Sequence, residues 1–154
     1  MSTSYASELL ARFESNLADL YDLYAERLAS DSEVSSMFSR LAREEQTQVS
    51  QIAHEGRMVD ADPKAFAGLE IDTDELLMAM AKVKHARDNV PVVTLADALR
   101  TAVEFEGEAA DYHGRMAVLQ ANSAIGTFLS HLGGEDSMHR ERLAGIVAQR
   151  LNAH

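Results

Sequence analysis

Four stretches of the chain place apolar residues at alternating steps of three and four, the spacing that keeps side chains on one face of an α-helix. The first runs from about residue 4 to 29, with the inward stripe Leu10, Glu14, Leu17, Tyr21, Tyr24, Leu28. Ser30-Asp31-Ser32 interrupts it and offers an N-cap for the next helix. That helix is predicted over about 32–56, with the stripe Val34, Phe38, Leu41, Glu45, Gln48, Ile52 and Gly56 as its stop. Thr94 with Asp97 opens a third helix, about 94–121, whose stripe reads Leu95, Leu99, Ala102, Glu106, Ala109, His113, Met116. Asn122-Ser123 makes the next turn, and the fourth helix, about 124–150, carries Ile125, Leu129, Leu132, Asp136, His139, Leu143, Ile146.

Between the second and third helices, from about 57 to 93, the pattern changes. This stretch holds Asp62-Pro63, Gly68, a short helix opened by Thr73 and its acidic first turn, and then Asn89-Val90-Pro91. A connection of that length is a crossover rather than a tight turn. The prediction is therefore all-α, one domain over 1–154. It is a four-helix bundle of two antiparallel hairpins, joined by one long crossover that contains a short extra helix. Gly133-Gly134 in the fourth helix costs ~1 kcal/mol per glycine relative to Ala, which points to close helix approach or a local bulge. The run Leu77-Met78-Ala79-Met80 is read as packing.

Composition narrows the function. A hydrophobic content of 46% with only two prolines in 154 residues suits a single helical core. With no cysteine, disulfides, thiolate metal sites and iron–sulfur clusters are excluded. A net charge of −11 argues against nucleic acid as a partner and against a basic membrane-docking face. Met1-Ser2-Thr3-Ser4-Tyr5 lacks the basic and apolar regions of a secretion signal, and no apolar run approaches a membrane span, so a cytoplasmic protein is expected.

The informative residues are the polar ones within the apolar stripes. Each stripe carries a carboxylate near its middle: Glu14, Glu45, Glu106 and Asp136. None carries a Lys or Arg there. Carboxylates in a core without a cationic partner must be protonated, hydrated or bound to cations. In an antiparallel hairpin two residues are level when the turn lies midway between them. Glu14 and Glu45 have their midpoint beside Ser30; Glu106 and Asp136 have theirs at 121, beside Asn122. The separations, 31 and 30 residues, nearly repeat. Three residues past the second carboxylate of each pair come Gln48 and His139. Positions i and i+3 share a helix face with Cβ atoms ~5–6 Å apart, so Asp136 and His139 can hold one metal ion.

These residues resemble the di-iron carboxylate proteins of the ferritin and rubrerythrin type, in which two helices each give a Glu and two give a Glu-x-x-His. Glu14 with Tyr21 and Ala25 is similar to that family's first helix, and Leu41-Ala42-Arg43-Glu44-Glu45-Gln46-Thr47-Gln48 to its second. Glu106 with Ala117 is similar to the third, with His113 where a tyrosine is common. Leu132-Gly133-Gly134-Glu135-Asp136-Ser137-Met138-His139-Arg140-Glu141-Arg142-Leu143 is similar to the fourth. Two departures stand out. Gln48 occupies a histidine position, and Asp136 replaces a Glu. Glu135 does not substitute, because its i+3 neighbour is Met138.

The resemblance implies a ferritin-like bundle binding one or two irons per chain, with Mn or Zn as alternatives, and redox or iron-handling chemistry with oxygen or peroxide. It implies Glu14 and Glu106 as terminal ligands, Glu45 and Asp136 as bridging ones, and His139 as a ligand to one metal. Tyr21 or Tyr24 would orient a carboxylate. His113 is expected beside the ligands or in a structural role, since seven residues of helix put it ~10.5 Å from Glu106. It could still approach the gap left by Gln48. Rubrerythrins proper also carry a cysteine-ligated electron donor, so a peroxidase role here requires an external one. A homodimer is also expected. The competing expectation is a non-catalytic helical bundle with a degenerate metal site, acting as a structural or interaction module. His54, His85, His131 and His154 carry no motif and are expected in solvent.

Overall fold

The computed structural model describes residues 3–61 and 70–151. All its regular structure among these residues is helical: α1 (Thr3–Arg27), α2 (Ser32–Ala61), α3 (Thr73–Asp88), a 3-10 turn (Val90–Val92), α4 (Leu95–Leu119) and α5 (Ser123–Leu151). Two compact units are distinguished, Met1–Pro91 and Val92–His154. No helix among the described residues is long and apolar enough to cross a membrane.

In the first unit α1 packs on α2 and on α3. The turn after α1 is closed by Asp31, whose carboxylate accepts from the Val34 amide at 3.2 Å and so caps α2. Ser35 adds a bond from its hydroxyl to the Ala25 carbonyl at 2.7 Å. Every residue of the two predicted stripes is buried, Leu10 to Tyr24 on α1, Leu28 in the turn just after it, and Val34 to Ile52 on α2. Each fully buried Leu among them contributes ~1.5–3 kcal/mol relative to exposure.

Gly56 does not end α2, which continues to Ala61. A Cβ there would lie 3.1 Å from the Ser7 Cβ, so this glycine serves the close approach of α1 rather than a helix stop. The short helix begins at Thr73, but its cap is Asp72, which accepts from the Glu75 amide at 2.9 Å. Leu76 and Val83 anchor α3, while Leu77 and Met78 are exposed, so the Met-rich run is packing only in part. The turn signals Asp62-Pro63 and Gly68 lie outside the described residues, as does His154.

In the second unit α4 and α5 pack as a hairpin. Thr94 caps α4 by accepting from the Asp97 amide at 3.1 Å, as its sequence predicts. Asn122 caps α5, its side-chain oxygen accepting from Ala124 and Ile125 at 2.9 and 3.1 Å. Both stripes are buried apart from their outermost members, Leu95 and Ile146, which are half-buried. α5 runs unbroken through Gly133-Gly134, so there is no bulge. The two glycines differ in kind. A Cβ at Gly133 would meet the Ala110 carbonyl at 3.3 Å and the His113 Cβ at 3.5 Å, whereas one at Gly134 meets nothing within 4 Å.

That contrast yields a paired expectation. Gly134→Ala stabilises the protein by ~0.5–1 kcal/mol through helix propensity. Gly133→Ala does not, because the crowding of α4 offsets the same gain. Urea denaturation midpoints measure both. Equal stabilisation by the two substitutions would show that Gly133 is not a contact point.

Candidate metal centre

The first unit sets three polar side chains into apolar stripes. Glu14 on α1 lies between Leu10 and Leu17; Glu45 and Gln48 on α2 lie between Leu41 and Ile52; all three are fully buried. Further along α1, Tyr21 and Tyr24 are buried with their rings on Phe38 of α2, at centroid distances of 5.8 and 5.2 Å. The rings thereby tie α1 to α2 beyond the carboxylates.

The second unit gathers Glu106 and His113 from α4 with Asp136 and His139 from α5. All four are buried. His139 Nδ1 lies 3.2 Å from Glu106 Oε1, and His113 Nδ1 lies 2.6 Å from Asp136 Oδ2. Glu106, Asp136 and His139 each offer a ligand atom within 4.8 Å of the others. These are buried carboxylate and histidine groups that could hold a metal ion. The i, i+3 relation of Asp136 and His139 brings both side chains to this one place. Glu106 Oε2 is buried and makes no hydrogen bond among the described residues. A buried carboxylate oxygen left so is costly, and a cation is one way to satisfy it.

The contacts also correct the register read from sequence. Gly133 faces Ala110, His113 and Gly114. Three residues further along the antiparallel α5, Asp136 therefore stands opposite the stretch between Glu106 and His113, about one turn from each, rather than level with Glu106. Side-chain reach closes both gaps. His113 was expected at a distance because it is two turns from Glu106 along its own helix. It reaches the cluster by crossing the hairpin to Asp136.

The remaining histidines separate cleanly from the cluster. His54, His85 and His131 are exposed; His131 pairs with Glu135 at 2.6 Å and His85 with the Asn89 side chain at 3.1 Å. Glu135 is thus turned to a surface pair, and its i+3 neighbour Met138 is exposed. Compared with protein-family models, curated proteins and solved structures, the chain matches none.

The His113–Asp136 bond makes a prediction for the metal-free protein. A double-mutant cycle with His113→Ala and Asp136→Ala, measured by chemical denaturation with chelator present, gives a coupling of ~1.5–3 kcal/mol, the range for a hydrogen bond to a charged group. A coupling near zero would mean that the pair does not form.

Proposed function

We propose that this chain is an iron-binding protein of the ferritin-like, rubrerythrin-like kind. In this reading the chain is a four-helix bundle with a carboxylate–histidine centre. The observation that carries the reading is Glu106, buried with Oε1 on His139 and Oε2 lacking any hydrogen-bond partner among the described residues. A second support is the repetition of the pattern. Glu14 and Glu45 are buried on their own stripes, as Glu106 and Asp136 are on theirs, so each hairpin buries two carboxylates.

The donor set fits the metal. Carboxylates with imidazole suit Fe(II) or Mn(II), with Zn(II) as a substitute, and four carboxylates offset the charge of two divalent ions. Glu14, Glu45, Glu106, Asp136 and His139 would hold it. When bound, iron in such a set supplies redox chemistry with oxygen or peroxide. The chain's own part is to fix negative charge at buried positions, to present the His139 nitrogen, and to limit water through apolar neighbours such as Ala102, Ala109 and Leu132. Electrons for peroxide reduction would come from an external donor, because the chain has no cysteine with which to hold a thiolate-ligated redox centre.

Gln48 favours a second reading. It is buried where the resembled family has a ligand histidine, and an amide is a poor ligand for iron. A bundle that has lost its metal and serves as a structural or interaction module would look this way.

Metal analysis separates the two readings. Protein purified without chelator or metal-binding tag, loaded anaerobically with Fe(II) and desalted, is expected to retain about one or two irons per chain. Glu106→Ala and His139→Ala should each retain less, and loaded wild type should consume oxygen or peroxide. Failure of the wild type to retain iron would contradict the proposal and favour the module. Retention without oxygen or peroxide consumption would leave iron binding and remove the redox role.

A further inference from the structure

We propose that His113 is a metal ligand, so that Asp136 is shared between two ion positions, one with Glu106 and His139 and the other with His113. The inference rests on the metal-centre reading above and extends it to a residue that the resemblance does not supply, since a tyrosine is common at that position.

Three observations support it. The first is geometric. Two ligand atoms, each ~2.1 Å from one ion and at right angles about it, lie about 3 Å apart. His139 Nδ1 to Glu106 Oε1 is 3.2 Å, and His113 Nδ1 to Asp136 Oδ2 is 2.6 Å. The two pairs have the same form: in each, an imidazole Nδ1 addresses a carboxylate on the opposite helix.

The second is the place of Asp136. It stands opposite the stretch of α4 between Glu106 and His113. A carboxylate has two oxygens and about four lone-pair sites, so Asp136 can serve a position on either side. Its Oδ2 is directed to His113, while the residue also belongs to the cluster of Glu106 and His139.

The third is how the ring is held. His113 is fully buried on the inward stripe of α4. The glycine opposite, Gly133, lets the helices approach until a Cβ there would touch the His113 Cβ at 3.5 Å. The tighter contact of such a Cβ is with the Ala110 carbonyl, at 3.3 Å, on the turn of α4 that precedes His113. The chain thus has a second buried imidazole on α4, while α2 carries the amide of Gln48 where an imidazole is expected.

The alternative role for His113 is to orient Asp136 by a hydrogen bond alone. His113→Asn distinguishes the two, because its amide nitrogen takes the place of Nδ1 and can still donate to Asp136 but is a poor ligand. The experiment is anaerobic titration of the full chain with Fe(II) alone, followed by calorimetry and metal analysis, with circular dichroism to show that each variant is folded. Wild type should bind about two ions per chain. His113→Asn, His113→Ala and His139→Ala should each lose one, and Asp136→Ala should weaken both. Two ions retained by His113→Asn would overturn the ligand role and leave a positioning one. One ion in wild type, undiminished in His113→Ala but lost in His139→Ala, would overturn this inference while the metal-centre reading stands. No binding by folded wild type would overturn both.

Discussion

Taking a carboxylate out of water costs several kcal/mol even after relaxation, and the α4–α5 hairpin does so at two neighbouring places. Glu106 and Asp136 are buried on its inward stripes, and each is met by an imidazole from the facing helix. A pair of this kind is a weak source of stability, since apolar residues of similar volume often do as well or better. The cost becomes intelligible when the groups are considered for what they can hold. Much of the hairpin's local design follows from bringing them together. The caps at Thr94 and Asn122 fix where the helices begin, and Gly133 sets how near they come.

The first hairpin works under the same constraint. Glu14, Glu45 and Gln48 are buried among leucines and an isoleucine, while Tyr21 and Tyr24 close on Phe38 further along. The second hairpin sets direct carboxylate–imidazole bonds at its acids, with Tyr112 edge-on to the His113 ring at a centroid distance of 6.0 Å.

Much of this was legible in the sequence. Alternating steps of three and four identify the buried face almost without exception, because helix geometry leaves few other ways to bury those residues. Thr94 and the pair Asp136/His139 were readable for a similar reason: their meaning depends on neighbours three residues away. What misled was anything set by a contact across the hairpin. Gly56 has the same letter whether it ends a helix or admits Ser7, and only the packing of α1 decides. His113 is remote from Glu106 along α4, yet one turn's offset in register delivers it to Asp136. The separation of Gly133 from Gly134, one a contact and one open, is equally invisible to composition.

The central claim is that Glu106, Asp136 and His139 form a metal position. Crystals grown from the full chain and soaked anaerobically in Fe(II) would test it by anomalous scattering at the iron edge. The account predicts a peak at metal–ligand distance, roughly 2.0–2.2 Å, from side-chain atoms of these three residues. Iron found only at surface carboxylates, with this cluster lacking a peak, would contradict it.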